Sequence, residues 1–354
     1  MKRIVLTGGG TAGHVTPNLA LIPALQAQGF DVHYIGTRDG MEKSLIQKAN
    51  IPYHVIAAGK LRRYVDMKNI TDIAKIIQGT CQAVAVLLKI KPNVVFAKGG
   101  FVSCPVVWAA KVLGIPVVVH ESDLTPGLAN KLSLPFAKKI CYTFPETALH
   151  LDASKSVLTG LPIRTALAQG DAVIGRKLCG FTDEKPVLLV MGGSQGASVL
   201  NQIIRSNLHT LLNDYQICHL CGKDNQDSTL EGLSGYCQFA YAHEELAHLF
   251  AMTDLFLSRA GSTAIHEMLL VNKPMLLIPL SKNASRGDQI LNAISFENRG
   301  FASMIFEEDL DDQLLIGRLS QIQFERSRYI KAIKTANIAN GLDATMQVIL
   351  SVLK

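Results

Sequence analysis

Two stretches of this chain open in the same way, and that recurrence constrains the fold more than any other feature. Residues 2–13, KRIVLTGGGTAG, and 185–198, KPVLLVMGGSQGAS, each pass from a basic residue through an apolar strand into a glycine turn and a helical pattern. After each opening, short β-branched runs alternate with longer helical patterns: DVHYIG, NVVFAKGG and IPVVVHE in the first series, YQICHLCG, TDLFLSRAG and PMLLIPL in the second. Such alternation predicts crossover units and parallel sheets covered by helices on both faces, an α/β class. Around residues 160–185 glycines, prolines and charges cluster, which sets a domain junction near residue 162. The expected division is 1–162, then 163–335, then a helical stretch, 336–354, that packs back on the first domain. A chain of 354 residues has room for two such cores. Open sheets of this kind bind ligands beyond the carboxyl ends of their strands, so two sheets facing each other would set both turns at one cleft, as a two-substrate enzyme needs.

Several function classes are not expected. No segment reaches the roughly 20 apolar residues that span a bilayer; the nearest, residues 76–88, IIQGTCQAVAVLL, is short and holds two glutamines. MKRIVLTGGG offers only four apolar residues before its glycines, so no secretory signal is expected and the cytoplasm is the expected compartment. The seven cysteines stand in apolar contexts that suit free buried thiols. Cys218 and Cys221 form C-x-x-C, yet in a strand pattern that spacing sends the side chains to opposite faces, unlike a zinc or redox pair. The net charge is +6, and Lys60, Arg62, Arg63, Lys68, Lys75, Lys89 and Lys91 crowd around the apolar stretch 76–88. Attraction to an anionic lipid surface and an ordinary solvated basic face both fit that pattern. Interleaved aromatics and nucleic-acid motifs are missing, so no nucleic-acid partner is expected.

The first turn contains G-x-G-x-x-G as Gly8, Gly10 and Gly13. A dinucleotide fold wants an acidic residue at the end of the second strand. Here that strand ends in Gly36-Thr37-Arg38, with acid only at Asp39; Arg38 keeps an NADP-dependent reductase as an alternative, beside a nucleotide-binding module without turnover. A P-loop is excluded because His14 and Val15 stand where lysine and Ser/Thr are required. His14 follows the turn near a helix start, and the positive helix end favours the neutral imidazole that a general base needs. The second turn, Gly192-Gly193-Ser194-Gln195-Gly196, also reads as G-x-S-x-G, the nucleophile elbow of hydrolases. No histidine follows His266, however, and Asp254 precedes its strand, at the wrong end for a triad. A diphosphate cradle of backbone N–H groups, with the Ser194 hydroxyl as a further donor, is the better reading. Two zinc look-alikes fail: Leu270 stands where H-E-x-x-H needs its second histidine, and His243 and His248 are five apart. In Arg259–Glu267 a strand gives way to a helix, whose Glu267 could accept both hydroxyls of a ribose. Asp288 and Gln289 follow the loop SKNASRG and could meet a sugar.

Taken in order, GGGTAGH, AKGGFVSCP, HESD, GLANK, GLPIR, MGGSQGA, SRAGSTAIHE and ASRGDQ resemble, over essentially the whole chain, the MurG family of glycosyltransferases in glycosyltransferase family 28. The resemblance implies a GT-B fold of two Rossmann-like domains, the first receiving the lipid acceptor and the second holding UDP-N-acetylglucosamine (UDP-GlcNAc). It implies an inverting transfer that forms a β-1,4 linkage on undecaprenyl-pyrophosphoryl-MurNAc-pentapeptide (lipid I), giving lipid II, at the cytoplasmic face of the membrane and with no metal or other cofactor. By the same resemblance Arg164, Gly193, Ser194 and Gln195 lie at the donor diphosphate. Ser262, Thr263, Ala264 and Glu267 wrap the nucleotide, and Gln289 touches the donor sugar. Thr11, Ala12, Gly13 and His14 complete the donor site from the other domain, while Gly99, Gly100 and Asn130 serve the acceptor. His14 is the first choice of base and Glu121 the second, and His14 could instead bind acceptor phosphate. Ala12, Phe101 and Asp123 depart from the Gly, Tyr and Asn common at those places in the family.

Overall fold

The computed structural model describes residues 1–59, 68–182, 184–193, 196–282 and 285–353, with the side chains at 68–71 and 73 outside the description. The chain divides into two units, Met1–Arg164 with Ala339–Lys354, and Thr165–Ile338. In the first, strands β1 (Lys2–Thr7), β2 (Phe30–Gly36), β3 (Tyr53–Val55), β4 (Val94–Ala97), β5 (Val117–Glu121), β6 (Lys139–Tyr142) and β7 (Ser156–Leu158) form one sheet in the order β3-β2-β1-β4-β5-β6-β7. Every pairing described is parallel, from β1 on β2 to β6 on β7. The strands are apolar on both faces because helices cover both, and β4 and the start of β5 are wholly buried. One layer of core joins Ile4, Leu6 and Phe96 to Leu21 and Leu25 of the helix Ala12–Ala27 and to Met346, Val348 and Ile349 of the terminal helix Leu342–Ser351. The opposite layer joins Val5, Ile35 and Val95 to Ala83 and Leu87 of the helix Lys68–Ile90 and to Val106 and Ala110 of the helix Ser103–Val112.

The second unit holds β8 (Val187–Met191), β9 (Gln216–Leu220), β10 (Tyr236–Phe239), β11 (Leu255–Ser258), β12 (Met275–Leu277) and β13 (Ala302–Met304), ordered β10-β9-β8-β11-β12-β13 and again parallel. In both sheets the chain leaves its first strand toward one edge and later returns on that strand's other side. The reversal falls between β1 and β4 in one and between β8 and β11 in the other, and at such points open α/β sheets form a ligand crevice beyond the carboxyl ends of their strands.

The helix expected to start near His14 runs over Ala12–Ala27 and carries Pro17 and Pro23 inside it. Its first turn is held from the side: Asn18 Nδ2 donates to Thr7 O at 3.3 Å and to the Tyr34 hydroxyl at 3.2 Å, and that hydroxyl donates to Gly8 O at 2.7 Å. His14 therefore belongs to the first helical turn.

Two buried histidines of the second unit are kept neutral. His219 on β9 bonds the Tyr236 hydroxyl at 2.9 Å and Asn201 Oδ1 at 3.0 Å, and burial, helped by Arg205, pushes its pKa down to about 3. His266 lies on the helix Ser262–Leu269 with its ring edge-on to Phe296, and burial pushes it down to about 4. The unfolded chain accepts these protons near pH 6.5 while the fold refuses them. Stability is therefore complete above that pH and declines as pH falls from 6.5 toward 4, by about 2 kcal/mol per histidine at pH 5. Thermal unfolding followed at pH 7.5 and 5 should show this loss, and His266→Gln should reduce it; a midpoint independent of pH over that range would contradict the assignment.

Candidate functional site

The crevice of the first unit is built by two turns whose backbones touch. Gly100, at φ +80°, lies so close to Gly9 that a Cβ there would stand 2.1 Å from Gly9 O. Gly8 packs on the helix start in the same way, its Cβ position 2.5 Å from His14 O. The first turn is also held from beneath by the fully buried Glu42, whose carboxylate accepts from Thr37 N at 3.0 Å, Thr37 Oγ1 at 2.6 Å and Gly10 N at 3.3 Å. A carboxylate already receiving one of the turn's N–H groups opposes an anionic dinucleotide there, which counts against the reductase alternative.

His14 Nδ1 lies 3.0 Å from Thr11 Oγ1. A Cβ on Gly99 would sit 3.2 Å from Asn130 Oδ1 and 3.3 Å from His14 Cδ2, so these three residues meet at one point. Asn130 is 4% exposed; its Nδ2 donates to Glu121 Oε2 at 2.8 Å and to His120 O at 3.3 Å, while its buried Oδ1 has no hydrogen-bond partner among the described residues. Glu121, at the end of β5, also accepts from Asp123 N at 2.9 Å and Gly127 N at 3.0 Å. Burial, reinforced by the neighbouring Asp123 charge, raises its pKa, and these donors oppose the rise. Three donors directed at one buried carboxylate make it the organiser of the 121–130 segment. Thr11, Ala12, Gly13, His14, Gly99, Gly100, Glu121 and Asn130 thus come together in this one unit.

In the second unit the turn after β8 is shaped by similar close approaches. A Cβ on Gly196 would lie 2.1 Å from Cys221 O, and one on Gly192 would lie 2.5 Å from the Ala197 Cβ. Gly193 takes φ +95°, and the helix Ser198–Ser206 begins directly behind the turn. Ser194 and Gln195 lie outside the described residues. On the other side of the reversal, Arg259 N donates to Met191 O at 3.3 Å, and Ser262, Thr263, Ala264 and Glu267 open the helix that follows β11. Glu267 is 6% exposed. Gln289 begins the helix Asp288–Asn298 and accepts from Leu280 N at 3.1 Å, while Asn292 of that helix donates to Ala260 O at 3.2 Å. Arg259 itself binds Ile278 O at 3.1 Å and pairs with Glu307, which joins the loops after β11, β12 and β13. Asp254 stands at the opposite edge, joined to Val187 N and Arg326, away from the second glycine turn. Arg164 closes the first unit, next to Ile163, whose N–H donates to Asn340 Oδ1 at 3.0 Å.

Residues 4–142 match the glycosyltransferase family 28 N-terminal domain, and 187–348 its C-terminal domain. The chain belongs to glycosyltransferase family 28. It is 51% identical, over 98% of its length and 97% of the relative's, to the UDP-N-acetylglucosamine–N-acetylmuramyl-(pentapeptide) pyrophosphoryl-undecaprenol N-acetylglucosamine transferase of Clostridium tetani. The Clostridium kluyveri enzyme of the same name is also 51% identical, over 99% of this chain and 98% of that one. Among solved structures, Acinetobacter baumannii MurG superimposes with a TM-score of 0.79 at 26% identity, covering 99% of this chain and all of the other. The two parallel sheets are those of the family's GT-B architecture.

Within this family 28 fold, sequence reasoning missed Glu42 and Lys98. The search for an acid beside the first turn ended at the strand's end, whereas Glu42 reaches the turn from the helix Met41–Lys48. Lys98 carried a signal, a cation directly after the apolar run NVVFA. Among the basic residues near 76–88, Lys60, Arg62, Arg63 and the Lys68 side chain lie outside the described residues; Lys75, Lys89 and Lys91 are exposed, Lys75 pairing with Asp72 at 3.6 Å. Among the described residues no helix is long and apolar enough to cross a membrane.

Because Gly100 combines positive φ with backbone contact, Gly100→Ala should destabilise the first unit by about 2 kcal/mol or more. Thermal unfolding measures this, and a midpoint equal to the parent's would show that the two turns do not touch.

Proposed function

We propose that this chain transfers N-acetylglucosamine from UDP-GlcNAc to the C4 hydroxyl of the MurNAc residue of lipid I, giving lipid II for peptidoglycan. The observation that carries this reading is the 51% identity, along nearly the whole chain, to transferases named for that reaction. The first unit serves the acceptor and the second the donor.

The chemistry follows from charge. As the C4 oxygen attacks the anomeric carbon, the bond from that carbon to the UDP oxygen breaks and the leaving diphosphate gains negative charge. The turn after β8 and the N-terminus of the helix Ser198–Ser206 present backbone N–H groups to it, with Ser194 and Arg164 as further donors. Glu267 holds the ribose hydroxyls and Gln289 the donor sugar. The hydroxyl proton passes to His14. With Nδ1–H donated to Thr11 Oγ1, the lone pair sits on Nε2, on the ring edge that meets Gly99 and Asn130. Glu121, with three donors on its carboxylate, positions Asn130 and leaves the proton transfer to His14. The enzyme works at the cytoplasmic membrane face; exposed Ile77, Leu88, Lys89 and Lys91 on and just beyond the helix Lys68–Ile90 support that placement.

Incubation with labelled UDP-GlcNAc and a lipid I analogue should give one UDP for each β-1,4-linked disaccharide formed. Donor binding without transfer, or binding of NADP in preference to UDP compounds, would refute the reading. His14→Ala should lower kcat by about a hundredfold or more with UDP affinity unchanged, the range of a lost general base. Thr11→Val, which removes the partner that fixes the tautomer, should lower kcat by less. Undiminished turnover in the His14 variant rejects its role.

A further inference from the structure

Lys98 follows β4 directly and is fully buried. Its backbone N–H continues the sheet by donating to Thr7 O at 2.9 Å, and its ammonium donates to Ser122 Oγ at 2.7 Å. A buried ammonium has three N–H groups to satisfy and strongly resists losing water unless a counter-charge is near. Two carboxylates act on it, Glu121 and Asp123, which flank Ser122 in the segment after β5. From the other elements packed around it, Thr7 and Gly8 of the first turn are uncharged, His120 on β5 turns its Nε2 to Gly160 O at 3.0 Å, and His14 meets the adjoining Gly99. The cation therefore stands behind the Gly99–Gly100 turn, beside the carboxylate that organises the acceptor segment.

We propose that Lys98 is a positioning residue for the acceptor: its buried positive charge balances Glu121, and Glu121 in turn holds the 121–130 segment with Asn130 beside His14 and Gly99. This inference rests on the transferase reading for the identity of the ligand. The linkage between the two charges gives it a pH signature. Burial lowers the Lys98 pKa to about 8, against the pull of Glu121 and Asp123, while burial raises that of Glu121. When Lys98 gives up its proton as the pH rises, Glu121 stays ionised and becomes a buried carboxylate without a counter-charge, beside the like charge of Asp123. That uncompensated charge is relieved by movement of Glu121 toward water, which breaks the bonds it accepts from Asp123 N, Gly127 N and Asn130 Nδ2 and releases Asn130.

The test is the affinity of the full-length enzyme for a water-soluble lipid I analogue, measured by calorimetry from pH 6.5 to 10, with UDP affinity and thermal midpoint followed in parallel. With acceptor binding confined to the protonated form, affinity should fall about tenfold between pH 7 and 9, with UDP affinity unchanged. Lys98→Arg, which cannot lose its charge in this range, should abolish the fall; Lys98→Met should bind the analogue weakly at every pH. Should both variants fail to fold, Ser122→Ala decides, because loss of the ammonium's hydrogen-bond acceptor must move the fall to lower pH. Flat wild-type affinity across the range, or a fall that Lys98→Arg or Ser122→Ala leaves in place, overturns the inference. Loss of sugar transfer with the binding profile intact counts against the transferase reading alone.

Discussion

The first unit depends on two turns approaching within a distance that no side chain permits. Gly9 and Gly100 belong to loops far apart in sequence, yet β1 and β4 are neighbours across the reversal of the sheet, with Thr7 opposite Ala97. Register carries both loops to the same edge, and glycine lets them touch. From that contact the rest follows: Gly99 is brought against Asn130 and His14, and the helix Ala12–Ala27 begins early enough to hold His14 in its first turn. The second unit repeats the device, with Gly196 lying against Cys221 O and Asn201 Nδ2 donating to the same carbonyl at 3.0 Å.

Buried polar groups hold these turns in place. Glu42 lies under the first turn, Glu121 beside it, and the neutral His219 behind the second, each bonded to groups that would otherwise lack partners. A fully bonded carboxylate is a poor base, since proton uptake breaks bonds already made. That argument separates Glu121 from His14, whose Nδ1 lies 3.0 Å from Thr11 Oγ1 and whose Cδ2 faces Gly99. It also explains how a site for anionic substrates tolerates buried acids: their charge is directed inward, onto the backbone of the loops they support.

What could be read from the residues alone was whatever local chemistry specifies. An apolar run ending in glycines is legible as a strand and turn, and both openings, the parallel class and the place of His14 just past the first turn at a helix start were accessible for that reason. The three-residue strands β3, β7 and β13 were not, because three residues carry too little alternation to register and form only through pairing with a neighbour. The bracing of the helix Ala12–Ala27 by Asn18 and Tyr34 was hidden, since Tyr34 reaches the turn from β2, the neighbour of β1. Glu42 was hidden for a similar reason: its role depends on which strand neighbours β1.

The central claim is that the two similar turns have divided their work, with the nucleotide taken by the turn after β8 and the sugar acceptor by the turn after β1. A crystal structure of the enzyme soaked with UDP tests this most directly. The account predicts the diphosphate oxygens against the backbone between Gly192 and Ala197, with the ribose beside Glu267. A nucleotide found on the turn between Gly8 and Thr11 would contradict it.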